Sequence, residues 1–111
     1  RSLVLKGAEL ICHPSNLELA NCQQTMLARC LENRVYAITA NRYGADKRPH
    51  GELKFTGKSQ IVAPSGELLH RAASQRDELF IIDIDPELAR EKHITPLNDL
   101  LTDRRPEFYL N

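Results

Sequence analysis

The side chains of this sequence that could do chemistry are few: three cysteines, four histidines and a scatter of asparagines and carboxylates. Cys12-His13 sets a thiol beside an imidazole, the ingredients of a nucleophile and its base. Neighbours on an extended strand point to opposite sides, so these two do not form a dyad with each other. The sequence predicts a buried cysteine and a histidine facing the other layer. Cys12, Cys22 and Cys30 contain no Cys-x-x-Cys pair, and an odd count argues against a secreted disulfide scaffold. On one helix Cys22 and Cys30 would lie roughly 12 Å apart along the axis, beyond the ~7 Å Cα limit for a bridge, and they read as packed thiols. His13, His50, His70 and His93 stand singly and match no zinc or haem spacing, so no metal and no cofactor is expected. No G-x-S-x-G, H-E-x-x-H, P-loop or G-x-G-x-x-G pattern occurs.

Glu32 falls in the last turn of a predicted helix, where a carboxylate faces the negative end of the macrodipole and needs a compensating partner. That partner is Arg29 or Arg34 in a surface ion pair, or else Glu32 is a buried carboxylate that braces a site. Asn33 beside it is suited to the left-handed conformation that ends a helix. Asn16 and Asn41 each follow a predicted strand, where loops at one edge of a layered α/β structure gather around a ligand. The competing reading makes both Asx-turn residues with local hydrogen bonds.

These residues need elements to hold them. The 111 residues carry 15 Lys+Arg against 15 Asp+Glu and are 41% hydrophobic, which fits one globular domain at most. Zero net charge and only short basic pairs, Lys47-Arg48 and Arg104-Arg105, leave no electrostatic footprint for nucleic acid or an anionic membrane. The longest apolar stretch, Val35 to Ala40, is far below the ~18 to 20 residues of a membrane span. The chain reads as soluble and cytoplasmic.

RSLVLKG (1–7) reads as the end of a helix, with Gly7 as its C′ residue; it lacks an N-cap and an initiator Met, so Arg1 reads as a cut inside a longer protein. AELICHPSN (8–16) reads as a strand running into a turn, and 18–33 as a helix with Leu19, Ala20, Cys22, Met26, Leu27, Cys30 and Leu31 on one face. RVYAITAN (34–41) is apolar almost without alternation, as in a central strand covered on both faces. Residues 42–56, with Gly44, Pro49, Gly51 and four Lys and Arg residues, read as an exposed loop. Residues 58–72 form a hairpin pattern around Pro64-Ser65-Gly66, and ELFIIDID (78–85) a third, mostly buried strand. Asp85-Pro86 starts a helix expected to run to about Thr95, followed by a helical turn near 98–103 and an extended tail over 105–111. Strands apolar on both sides demand a layer on each face, yet the chain supplies few helices to cover them. An upstream part of the same protein, or a second copy, is expected to pack there.

Three blocks, RSLVLKGAELICHPSN, LARCLENRVYAITANRYG and FTGKSQIVAPSGELL, in this order and spacing, resemble the C-terminal portion of the nitrilase superfamily, the carbon-nitrogen hydrolases. The resemblance covers nearly all of residues 1–85. It implies an α/β fold, the C-terminal part of a four-layer α-β-β-α sandwich, with residues 1–111 forming part of a single hydrolase domain that is commonly dimeric or larger. It implies hydrolysis of amides, nitriles or carbamoyl groups through a Glu, Lys and Cys triad lying upstream of Arg1. None of Cys12, Cys22 and Cys30 inherits the nucleophile role, so no catalytic residue is expected in the chain. What carries over is the pocket: Pro14, Ser15 and Asn16 match a turn lining the substrate site, Glu32 and Asn33 a Glu-Asn pair, Asn41 and Gly44 an Asn-x-x-Gly, and Gly57 and Ser59 a Gly-x-Ser. Ser15, Asn16 and Asn41 would orient substrate, with Pro14, Glu32, Asn33, Gly44, Gly57 and Ser59 behind them.

The leading expectation is therefore a part of a nitrilase-type hydrolase, inactive alone, acting on a small amide, nitrile or carbamoyl compound, with no nucleic acid or membrane partner and a homo-oligomeric assembly. The alternatives are a superfamily member acting as an acyltransferase or as the glutaminase domain of a synthetase, and a non-catalytic interaction module.

Overall fold

Leu10–Ser15 (β1) and Tyr36–Asn41 (β2), with Leu10, Ile11, Tyr36 and Ile38 among their residues, pair in parallel, from Leu10 opposite Tyr36 to Ser15 opposite Asn41. A parallel pair requires a crossover, which Cys22–Asn33 (α2) supplies. The computed structural model describes residues 1–109. Gln60–Val62 (β5) and Leu68–Arg71 (β6) extend the sheet by antiparallel pairing, giving the order β1-β2-β5-β6. The β5–β6 hairpin turns at Pro64-Ser65-Gly66, as expected, and Gly66 has φ +80. Ser2–Leu5 (α1) precedes Gly7, at φ +90, so the expected helix end is present.

The face of α2 carrying Met26, Leu27 and Cys30 packs on Ile11, Ala37 and Val62 of the sheet. Val62 is fully buried, worth about 1.5–3 kcal/mol of apolar transfer. On the opposite sheet face a smaller cluster joins Tyr36 and Ala63 to Ala89, Ile84 and Leu69. Beyond that cluster the second face is open, with Ile38 38% exposed in the middle of β2. The expected cover on both sides of 34–41 is therefore only half present. The chain forms a slab of 54 × 38 × 19 Å with a radius of gyration of 16.6 Å, against about 13 Å for a compact 100-residue domain.

Several boundaries differ from expectation for identifiable reasons. The helix begins at Cys22 rather than 18, because the Leu17 carbonyl, which a longer helix would use, accepts instead from Thr56 N at 2.9 Å. Asn33 does not take the left-handed position; Arg34 does, at φ 48 and ψ 59, while Asn33 stays helical and buried with its Nδ2 donating to the Arg29 carbonyl at 2.8 Å. Lys92 Nζ donates to the carbonyls of Asn33 and Arg34, placing a cation on the helix C-terminus.

Residues 42–56 are not a loop but a ribbon, Tyr43–Arg48 (β3) paired with Gly51–Thr56 (β4). An exposed two-stranded ribbon shows no apolar alternation; Asp46 holds Arg42 and Arg48, and the Arg42 guanidinium sits 4.4 Å over the Phe55 ring. Residues 78–85 belong to none of the sheets, and Leu79 and Ile81 are more than four-fifths exposed, so the expected buried strand is corrected. Leu79 and Ile81 present apolar surface that no other described residue covers. Glu87–Arg90 (α3) stops well before Thr95, because Glu91 turns extended and accepts from His93 N. His93–Thr95 (β7) then pairs with Asn98–Asp99 (β8), followed by turns over 100–103, and Pro106–Phe108 forms a 3-10 turn where an extended tail was expected. The end of that tail, 110–111, lies outside the described residues.

Candidate functional site

Because β1 and β2 are parallel, their carboxyl ends coincide and bring Ser15 and Asn41 side by side. Asn41 is the centre of a polar knot. Its Oδ1 accepts from Leu17 N at 2.7 Å and from Ser15 Oγ at 3.5 Å. Its Nδ2 donates to Thr56 Oγ1 at 2.9 Å and to the Gly57 carbonyl at 2.7 Å. All four hydrogen-bonding positions of the amide are thereby occupied within the chain. The backbone of Asn41 is held as well: its N donates to Ser59 Oγ at 2.9 Å, and that hydroxyl contacts the Asn41 carbonyl at 3.2 Å.

The remaining expected residues divide into two groups. Pro14 and Asn16 are exposed on either side of half-buried Ser15, and no side-chain hydrogen bond engages Asn16 among the described residues. Gly57 is buried at φ +59, and a Cβ there would meet the Ser74 carbonyl oxygen at 2.5 Å, so both the backbone and the space demand glycine. Gly44, at φ +86, is the second residue of β3, three residues after Asn41, with open space around it. Glu32 and Asn33 are not brought to this cluster. They end α2 at the far edge of the sheet, roughly 18 Å along a twelve-residue helix from its start. Glu32 is an exposed surface ion pair with Arg29 at 2.6 Å, which holds its carboxyl below the usual range, and the buried-carboxylate alternative is not what the chain adopts. Asn33 Oδ1 is buried with no hydrogen-bond partner among the described residues.

The sequence reading missed Gln23, Thr56 and Gln60, all tied into the knot. Gln23 Nε2 donates to Thr56 Oγ1 at 2.8 Å and to the Gly57 carbonyl at 3.2 Å, and Gln60 Nε2 donates to the Gln23 carbonyl at 2.8 Å. A signal existed: Gln23 lies on the same helical stripe as Met26, Leu27 and Cys30, and a polar residue on an apolar stripe must find partners.

The cysteines separate as β1 alternation requires. Cys12 faces away from His13, whose Nδ1 is hydrogen bonded with Thr39 Oγ1 at 3.2 Å. Cys12 is exposed, not buried as expected, because its part of the face opposite α2 has no cover among the described residues. Cys30 is buried, and that burial pushes its thiol up to about 11, so it is protonated at neutral pH. Among the described residues no group of three His, Cys, Asp or Glu side chains could hold a metal ion, and no helix is long and apolar enough to cross a membrane.

A parallel β-α-β unit extended by an antiparallel hairpin, with polar groups gathered where the parallel strands end, makes this an α/β protein of the layered kind. The profile of the carbon-nitrogen hydrolase family matches residues 1–93, and the chain belongs to that family. It is 44% identical over 109 residues to a nitrilase of Pyrococcus abyssi, covering 98% of this chain and 40% of that protein. It is 27% identical over 124 residues to an N-carbamoylputrescine amidase of Oryza sativa, again spanning 98% of this chain and 40% of the relative. A carbon-nitrogen hydrolase from Helicobacter pylori superimposes with a TM-score of 0.74 at 27% identity, over 96% of this chain and 41% of that one. The chain thus spans about two-fifths of the length of the proteins it matches, and its fold corresponds to part of the nitrilase fold.

Proposed function

We propose that residues 1–111 are the C-terminal portion of a single carbon-nitrogen hydrolase domain, and that the whole protein cleaves non-peptide carbon-nitrogen bonds in small amides, nitriles or carbamoyl compounds. In this reading the nucleophilic cysteine, its carboxylate base and a lysine lie upstream of Arg1, and this chain supplies part of the pocket. For an amide or carbamoyl substrate the carboxylate takes the proton of the cysteine thiol as its sulfur adds to the carbonyl carbon; the lysine ammonium and backbone donors stabilise the oxyanion. The amine leaves with a proton, and water then hydrolyses the thioester.

The observation that carries the chain's share is the grip on Leu17: its N–H is held by Asn41 Oδ1 at 2.7 Å and its carbonyl by Thr56. A turn fixed so tightly at a strand end, with exposed Asn16 unengaged, is suited to present Ser15 and Asn16 to a substrate. Asn41, its amide fully used, contributes by holding that turn, together with Gly57 and Ser59; Pro14 and Gly44 shape the same edge. Glu32 and Asn33 lie at the far edge, Glu32 in its surface ion pair with Arg29 and Asn33 buried against the helix end. A cytoplasmic location and self-association are further parts of the proposal, the latter because the face opposite α2 is uncovered.

The test is ammonia release by the full-length protein from butyramide, an aliphatic nitrile and N-carbamoylputrescine, with mass spectrometry for an acyl adduct. Turnover with an adduct on an upstream cysteine supports the reading. An adduct on Cys12, or turnover by the 111-residue chain alone, contradicts it.

A further inference from the structure

We infer that Gln23 is a positioning residue for the reaction: through the Thr56 hydroxyl it sets the direction of the hydrogen bond that fixes the Ser15–Leu17 turn. The inference rests on the reading of that turn as pocket wall.

The argument is one of saturated valence. Thr56 Oγ1 has one proton to give and two lone pairs. It is within 2.8 Å of Gln23 Nε2, 2.9 Å of Asn41 Nδ2 and 3.0 Å of the Leu17 carbonyl. The first two are amide N–H donors, so they occupy the lone pairs and the hydroxyl proton is left with one destination, the Leu17 carbonyl. The Gly57 carbonyl is shared in the same way, accepting from Asn41 Nδ2 at 2.7 Å and from Gln23 Nε2 at 3.2 Å. An acceptor in place of Gln23 Nε2 would face that carbonyl and attract the Thr56 proton, taking it from Leu17.

Gln23 is itself held. It is 3% exposed, and its own carbonyl accepts from Gln60 Nε2 at 2.8 Å, while Gln60 Oε1 accepts from Arg71 Nε and Nη2. The chain of bonds runs from β6 across β5 and the first turn of α2 to the ends of β1 and β2. It is buried over its middle, where a hydrogen bond is stronger and a reversed one costs more. Its position at the first turn of α2 lets the helix set the turn that precedes it without any side chain of α2 reaching the substrate.

Four substitutions in the full-length protein test this: Gln23→Glu, Thr56→Val, Thr56→Ser and Asn16→Ala. Each is assayed for kcat and KM on whichever of butyramide and N-carbamoylputrescine turns over, with rates normalised to the acyl-enzyme burst so that only folded sites count. Gln23→Glu keeps the shape and reverses the bond, and Thr56→Val removes the hydroxyl. Both are expected to lower kcat roughly ten- to hundredfold, as misplacement of an orienting group does, with KM changing much less. Thr56→Ser, which keeps the hydroxyl, is expected to restore wild-type kcat. If Gln23→Glu and Thr56→Val turn over normally while Asn16→Ala is impaired, the inference is overturned and the reading of the turn stands. If Asn16→Ala is also unimpaired, the turn is not pocket wall and both fall. If Gln23→Glu does not fold, the Thr56 pair decides: a serine variant no better than the valine one refutes the positioning role.

Discussion

Two regions of the sheet are built on opposite principles. At the carboxyl ends of β1 and β2, polar groups from four separate stretches, 15–17, 23, 41 and 56–59, satisfy one another almost completely. Along 78–85 an apolar run lies against the sheet, held at its ends by Glu78 bonded to His70 and Ala73 and by Tyr36 Oη donating to the Asp85 carbonyl, and between them by the Phe80 ring stacked on His70 at 3.7 Å and by Ile84 in the small second cluster. The first region is specified from within the chain. The second is apolar enough to be specified by something packed over it.

Breaking the contrast begins with activity. The purified 111-residue chain is expected to release no ammonia above buffer from butyramide or N-carbamoylputrescine, because nucleophile, base and oxyanion stabiliser are proposed to be elsewhere. The same chain in solution is expected to self-associate and bind a hydrophobic dye, since Leu79, Ile81 and Leu97 are each more than four-fifths exposed. Light scattering checks this, and a compact dye-free monomer would mean that the face is complete as it stands.

Within the knot, Asn41→Ala strips four hydrogen bonds and leaves buried partners unmet, so an unfolding midpoint should report a loss of about 2–4 kcal/mol. Gly57→Ala should cost about 1–3 kcal/mol through its positive φ and the close Ser74 carbonyl. Leu79→Ser, in the unfinished region, should shift the isolated chain's stability by no more than about 0.5 kcal/mol while reducing its self-association.

The smallest effect is electrostatic. Glu78 accepts from Ala73 N and is hydrogen bonded with His70, which holds its carboxyl below the ordinary value of 4.5. A depressed carboxylate stabilises the fold above its unfolded value and loses that contribution as pH falls through the folded one. Wild type and Glu78→Gln should therefore differ in melting temperature near neutrality and converge below about pH 4.5.

Local pattern carried much of this into the sequence reading. The α2 stripe, the Pro64-Ser65-Gly66 turn and the strands within 8–16 and 34–41 follow from apolar spacing and turn chemistry, while the parallel pairing of those two strands shows only in the fold. The β3–β4 ribbon was missed because its stability rests on cross-strand pairs and an Arg42–Phe55 contact rather than on a buried face. The apolar run at 78–85 announced burial, but a run of that kind does not say what does the burying. Asn41 was singled out, but the bonds that occupy its amide were not legible, for a related reason. The choice between a ligand contact and a structural knot depends on Thr56, Gly57 and Leu17, which lie 15 to 24 residues away and meet only in the fold.

The central claim is that the knot holds a turn whose exposed residues meet the substrate, and Asn16→Ala in the full-length protein addresses it most directly. Asn16 is exposed and outside the hydrogen-bond network, so its melting temperature should stay within about 1–2 °C of wild type while kcat/KM falls at least about tenfold. Unchanged kinetics at unchanged stability would contradict the claim.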